Sequence, residues 1–273
     1  METVRHADAH GFAALARPLY AAAPLRHTVE LTLLERLLDG AERVATGVTL
    51  HEARVVVGAL VRTPGRPALV SGVPTRHAAG LAEALSDEEL LGASGPVPEA
   101  EAFAAAHAAR TGDAVHVALR MRLFALGTLT APTGVSGRAR RAGERDTALL
   151  AAWRQAFASE LAHPTPGPDE AAAALRLGYG ELLWEVDGVP VAQASAKRPV
   201  AGMSRIGPVY TPPEHRNQGY AAAVTAAAAR WALDEGAEHV LLFTDLANAA
   251  TNRLYPRIGF RPVHDAVELA FRR

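Results

Sequence analysis

No cysteine occurs among the 273 residues. That excludes a disulfide framework, a thiolate zinc site and, in any catalysis, a cysteine nucleophile. Lysine is nearly absent too: Lys197 stands alone in a chain otherwise rich in arginine and alanine, as a GC-rich genome would produce. Charge of one sign is also lacking. Basic and acidic residues number 28 and 29, so the formal net charge is -1, and no basic field exists to hold nucleic acid or anionic lipid. No apolar run is long enough to span a bilayer, and the opening residues lack a secretory signal pattern, so a cytoplasmic location is expected. Asparagine is the last scarcity: Asn217, Asn248 and Asn252 are the only three, and all fall in or near the segments singled out below. What is present is an ordinary globular balance, 49% hydrophobic and 21% charged, enough for one large domain or two modest ones.

Two lobes are expected, 1–133 and 134–273, joined by the small, turn-prone stretch 130–137. In the first, leucines at helical spacing (Leu31, Leu33, Leu34, Leu37 and Leu38) predict a helix that stops at Gly40. Strands are predicted over 54–62 and 68–73, helices over 76–85 and 98–110, and an alternating strand over 114–129. The second lobe reads as a strand over 138–141, helices over 146–161 and 169–177, and a hairpin of 181–186 and 189–196 turning at Asp187-Gly188. A strand over 204–211 follows, then a helix over 221–235, an apolar strand over 239–244, a short helix over 249–257, and closing strands over 259–263 and 267–271.

One segment carries the most chemistry. Between the strand 204–211 and the helix 221–235 lies Arg216-Asn217-Gln218-Gly219-Tyr220-Ala221, of the form R-x-x-G-x-A. A loop of this kind opening a helix leaves backbone N–H groups aimed outward at the positive end of the helix dipole, a cradle for a pyrophosphate. Gly219 lets the backbone come close. Pro208 has no N–H to complete a central ladder and Gly207 permits a bulge, so the strand is expected either to splay from its neighbour or to be an ordinary edge strand.

With the loop and the segment Asn248-Ala249-Ala250-Thr251-Asn252-Arg253-Leu254-Tyr255-Pro256-Arg257-Ile258-Gly259-Phe260, the second lobe resembles the GCN5-related N-acetyltransferase (GNAT) family. The two motifs fit that family's [Q/R]-x-x-G-x-[G/A] loop and its N-x-x-[S/A]-x-x-L-Y-x-x-x-G-F stretch, with Thr251 in place of serine. The first lobe is similar, in order of elements alone, to a GNAT lobe without its loop. The resemblance implies an α/β (α+β) fold: a mixed, mostly antiparallel sheet flanked by helices, preceded by a degenerate lobe of the same kind. It implies an acetyl-CoA-dependent N-acetyltransferase acting on a primary amine in a ternary complex, with acetyl-CoA as co-substrate and no metal. Nucleic acid and membrane are not expected partners, and either a monomer or a homodimer is.

The resemblance also assigns residues. Backbone N–H groups of Gln218, Gly219, Tyr220 and Ala221 would hold the pyrophosphate, with Asn217 in the same loop and His215 and Arg216 flanking it. Val209, Tyr210 and Thr211 would line the pantetheine arm, and the N–H near Val209 would polarise the thioester carbonyl. Asn248 would contact CoA, cap a helix, or do both. Tyr255 would be the general acid, protonating the departing sulfur. No general base is evident. Glu181, Glu185 and Asp187 on the preceding hairpin either face the cleft or, as is expected of such residues, are solvated charges. This gap keeps a second reading open, a non-catalytic acyl-CoA-binding or regulatory module. His6 and His10 have helical metal-pair spacing but no third ligand, and carry no metal assignment.

Overall fold

The same succession of elements, β-α-α-β-β-β-α-β-α-β, occurs twice along the chain in the computed structural model, short 3₁₀ turns set aside. The structure describes residues 1–40, 42–160, 167 and 169–273. The first succession is β1 (Glu2–Arg5), α1 (Ala9–Ala21), α2 (Thr28–Leu38), β2 (Thr46–Glu52), β3 (Val55–Arg62), β4 (Ala68–Gly72), α3 (Ala78–Ala84), β5 (Gly92–Pro96), α4 (Val97–Thr111) and β6 (Ala114–Leu126). The second is β7 (Arg138–Arg141), α5 (Thr147–Glu160), α6 (Glu170–Arg176), β8 (Gly180–Val186), β9 (Val189–Ala196), β10 (Met203–Tyr210), α7 (Tyr220–Asp234), β11 (His239–Asp245), α8 (Ala249–Arg257) and β12 (Phe260–Arg272). Leu161, the expected last residue of the helix 146–161, lies outside the described residues.

Two compact units result, and they are not contiguous in sequence. One comprises Met1–Leu123, Asp245–Ala247 and Val263–Arg273; the other comprises Phe124–Thr244 and Asn248–Pro262. In the first unit β1, β2, β3 and β4 pair antiparallel in turn, β4 pairs parallel with β5, and β5 pairs antiparallel with the distal part of β12, Ala266 opposite Pro96 through Ala270 opposite Gly92. Val267 and Leu269 of that strand are buried in the core with Leu50, Leu60, Val70 and Phe103.

In the second unit β7, β8, β9 and β10 pair antiparallel in turn, and β10 pairs parallel with β11. The parallel pair therefore falls at the same place in both successions. The hairpin between β8 and β9 turns at Asp187 and Gly188, both at positive φ (50° and 80°), as a tight primed turn requires. The alternating strands divide their side chains between two faces. Leu182, Ala192 and Ala194 join the core with Val224, Ala228, Ala229 and Ala232 of α7. The small alanines let the α7 backbone lie close to the sheet. Leu183 faces the other way and packs with Leu150 of α5 and Ala171 of α6. Mostly antiparallel strands flanked by helices are thus what the sequence leads one to expect.

Candidate active site

The site starts from a gap in the sheet. Register pairs between β10 and β11 run from Met203–His239 to Ile206–Leu242 and stop there, although β10 continues to Tyr210 and β11 beyond Leu242. On the other side of β10 the ladder to β9 slips between Ile206 and Val209, a bulge at Gly207-Pro208. Pro208 cannot donate, so the interruption sits where the chain has no N–H to offer. Past the bulge Val209 pairs with Ala194 and Tyr210 with Gln193. The strand is splayed from β11 while still held by β9.

The loop 216–221 lies just beyond. Asn217 (φ 64°) and Gly219 (φ 84°) both adopt left-handed backbone, and Gly219 is the N-cap of α7. A Cβ built at Gly219 would lie 3.0 Å from Val135 Cγ2, so the position needs glycine for its dihedral and its space. The first helical N–H to find a carbonyl is that of Ala223, on Gly219 O at 3.1 Å. The N–H groups of residues 217–222 find no acceptor among the described residues. Thr211 Oγ1, at the end of the strand, is buried and likewise without a partner among them. Six backbone donors and an orphaned hydroxyl beside a helix N-terminus fit a phosphate-bearing ligand.

The other expected site residues occupy definite places. His215 ends a 3₁₀ turn (Pro213–His215) and its N–H bonds to Pro212 O. Arg216 donates from Nε to Thr211 O at 2.9 Å and from Nη2 to both oxygens of Glu160 at 2.7 Å. Tyr210 is buried against Trp153, and its hydroxyl donates to the same Glu160 at 3.3 Å. Tyr220 is buried and donates to Gln218 Oε1 at 2.9 Å, which stiffens the loop from within. Ala221 is the second residue of α7. Asn248 is the N-cap of α8, its side chain accepting from the Thr251 N–H at 3.2 Å. Asn252 supports that cap, donating to Asn248 O at 2.8 Å and accepting from Thr244 Oγ1 at 2.8 Å. Tyr255 is buried between Phe124 and Phe260, and burial pushes its phenol up to about 12.

The family model for the acetyltransferase (GNAT) family matches residues 148–260, the span that holds the splay, the loop and the helix with Tyr255. Residues 148–260 are a GNAT acetyltransferase domain. The chain is 33% identical over 211 residues to a mycothiol acetyltransferase of Acidothermus cellulolyticus, an alignment covering 67% of this chain and 61% of that relative. The match thus spans less than two thirds of the relative's length. Among solved structures the chain is similar to a GNAT-family acetyltransferase from Colwellia psychrerythraea (TM-score 0.66, 12% identity, all of both chains). It is also similar to a tandem GNAT protein from the clavulanic acid biosynthesis pathway (TM-score 0.58, 16% identity, 99% of this chain and 98% of that one). At these identities the likeness is one of fold. It extends over nearly the whole chain, so the N-terminal half is also GNAT-like in fold.

One expectation is corrected. Glu181 is not a solvated charge but 1% exposed, accepting from Arg154 Nη2 and from Ser195 Oγ, each at 2.6 Å. Glu185 likewise bonds Arg140. Arg154, itself buried, also reaches Glu170 at 3.2 Å.

Beside the splay, on the face covered by α5 and α6, the GNAT domain has a cleft of about 350 Å³. Ile206, Gly207 and Pro208 of β10 and Phe243 of β11 form its floor, and Arg154, Phe157, Glu170, Lys197 and Arg205 surround it. Sequence reasoning assigned none of the charged residues here. The lone lysine was the one signal that could have pointed to the place, and the partnership of Glu160 with Arg216 left no local trace.

Proposed function

We propose that this chain moves an acetyl group from acetyl-CoA to a primary amine by direct attack in a ternary complex. The observation that carries the reading is the row of N–H groups over residues 217–222 that find no acceptor among the described residues, beside the opening between β10 and β11. In this reading the N–H groups of Gln218, Gly219, Tyr220 and Ala221 bind the pyrophosphate, while Arg216 and His215 flank it. The chain around Val209, Tyr210 and Thr211 offers backbone groups to the pantetheine arm. Acetyl-CoA supplies an activated acyl carbonyl as a thioester. The Val209 N–H, next to the proline that interrupts the ladder, is the donor for the charge that develops on that carbonyl oxygen. Tyr255 keeps its proton at every pH the protein would meet, because burial raises its phenol, and delivers it to the departing sulfur. Asn248 caps α8 with Oδ1, and its Nδ2 donor is turned to CoA. Without cysteine, no acyl-cysteine step intervenes. The relative named mycothiol acetyltransferase supports acetyl transfer. In the same proposal 134–273 is the catalytic stretch of sequence and 1–133 a lobe that has lost the CoA loop.

The test pairs calorimetry with acetyl-CoA and thiol release across a panel of amines. Binding with turnover of any amine supports the proposal. Tight binding with no turnover across the panel would establish the non-catalytic acyl-CoA module instead.

A further inference from the structure

The charged walls of the cleft beside the splay are already answered from within the chain. Arg154 is held by Glu170, the one carboxylate lining the cleft, at 3.2 Å and by the buried Glu181 at 2.6 Å. Lys197 and Arg205 likewise have partners of their own. What the rest of the wall presents is apolar: Phe157 and Ala158 of α5, Ile206 and Pro208 of β10, and Phe243 of β11. The two aromatic residues, Phe157 and Phe243, are only partly buried. The register fixes the place of Phe243. Leu242 is the last residue of β11 to pair with β10, and it packs in the core on the α7 side, so the next side chain points to the other face. Phe243 comes level with Gly207, beside the bulge where the acyl carbonyl is placed above. Phe157 reaches the same space from α5, one turn beyond Arg154.

We infer that the acceptor is a small primary amine whose other end is uncharged and apolar, a ring or a branched alkyl group, seated between Phe157 and Phe243 while the amine faces the bulge. The inference rests on the acetyl-transfer reading. Three observations carry it. The first is the wall. Partly exposed aromatic and aliphatic surface inside a concavity gains by covering an apolar group, whereas a second charge on the acceptor would have to compete with pairs already made. The second is size: about 350 Å³ is at the small end of ligand sites and does not admit a folded or polymeric acceptor's bulk. The third is the missing base. No residue of β10 is acidic. An amine carried in among apolar side chains leaves water, and desolvation disfavours its ammonium form, as burial does to a lysine. That proton goes to solvent water, and the nitrogen arrives uncharged. It bonds the acyl carbon, the C–S bond breaks, and the sulfur takes the Tyr255 proton. The second proton, lost from nitrogen as the amide forms, restores the phenol through water.

The experiment measures kcat/KM by thiol release with the full chain and acetyl-CoA. Phenethylamine and 3-methylbutylamine are set against ethanolamine, 1,4-diaminobutane and β-alanine. The two apolar amines are expected to lead the other three by tenfold or more, as burial of several carbon atoms does. Phe157→Ala is expected to cut the ratio of phenethylamine to ethanolamine about tenfold, with acetyl-CoA affinity by calorimetry within about twofold of wild type. Wild-type selectivity decides the matter even if the variant fails to fold. Ethanolamine, the diamine or β-alanine equal to or ahead of the apolar amines overturns this inference alone. So does a tenfold preference for hexanoyl-CoA over acetyl-CoA with no discrimination among amines, which would give the cleft to the acyl chain. No turnover of any amine overturns the acetyl-transfer reading and this inference with it.

Discussion

Both carboxylate oxygens of Glu160, the last residue of α5, accept from Arg216 Nη2 at 2.7 Å. The arginine assigned to flank the phosphates is therefore already occupied by an internal anion. Both side chains are 42% exposed, so the pair is worth no more than about 1 kcal/mol. A phosphate that takes Arg216 must displace Glu160. Glu160→Gln is expected to tighten acetyl-CoA binding up to about fivefold at low salt, with the gain shrinking as salt screens the pair. Calorimetry at two ionic strengths checks this. Identical affinities in both proteins would remove Arg216 from phosphate binding.

Gly219→Glu places bulk and negative charge at the helix N-terminus. Acetyl-CoA binding is expected to fall below detection. The melt should shift by only the few kcal/mol that a side chain costs at φ 84° against Val135. Retained affinity would place the phosphates elsewhere.

Tyr255→Phe removes one hydroxyl from a site that is otherwise aromatic packing. Acetyl-CoA affinity should not change, and kcat should drop about 10²- to 10⁴-fold. Because burial pushes the phenol up to about 12, the wild-type rate should show no alkaline loss near pH 10. A loss there that the variant also shows would assign it to another group, and unchanged turnover would take Tyr255 out of the mechanism.

The Arg154–Glu181 pair is buried on both sides. Arg154→Met alone leaves a carboxylate uncompensated inside the domain and is expected to cost about 3–5 kcal/mol in urea unfolding. Arg154→Met combined with Glu181→Leu should recover much of that loss. A double variant as unstable as the sum of the singles would contradict the reading of these two as one unit.

His27, in the first unit, is 6% exposed and shares a 2.7 Å hydrogen bond with Ser71 Oγ. Burial, with Arg26 and His264 adding to it, lowers its pKa from 6.5 to about 4. The folded state thus disfavours the proton. The stability this contributes is fully present above pH 6.5 and is lost as pH falls toward 4, amounting to roughly 3 kcal/mol. Urea unfolding at pH 7 and pH 5 should show the decline, and His27→Gln should flatten it.

What the sequence disclosed depended on how local each cause is. The strand predicted over 239–244 is β11 because a run of apolar residues needs no partner to be read as buried. The R-x-x-G-x-A loop was legible because its geometry is set by Gly219 and Asn217 themselves. By contrast β5, with the sequence Gly-Ala-Ser-Gly-Pro, has almost no intrinsic strand preference. It is extended because residues 266–270, far away in sequence, pair with it. Glu181 was misread for the same reason: its burial depends on Arg154, which lies on another element. The charges around the cleft were each visible, but their convergence comes from the meeting of α5, α6, β10 and the residue that follows β9.

The return of Val263–Arg273 to the first unit has a bearing on how the protein is made. The unit whose synthesis begins first is completed second, since β5 acquires its outer neighbour only when residues 266–270 have emerged. Until then a nascent chain carries an open strand edge, the kind of surface to which other chains add. The two halves are consequently not separable by a single cut: cleavage after Pro262 would remove Val267 and Leu269 from the core of the unit at the opposite end of the sequence.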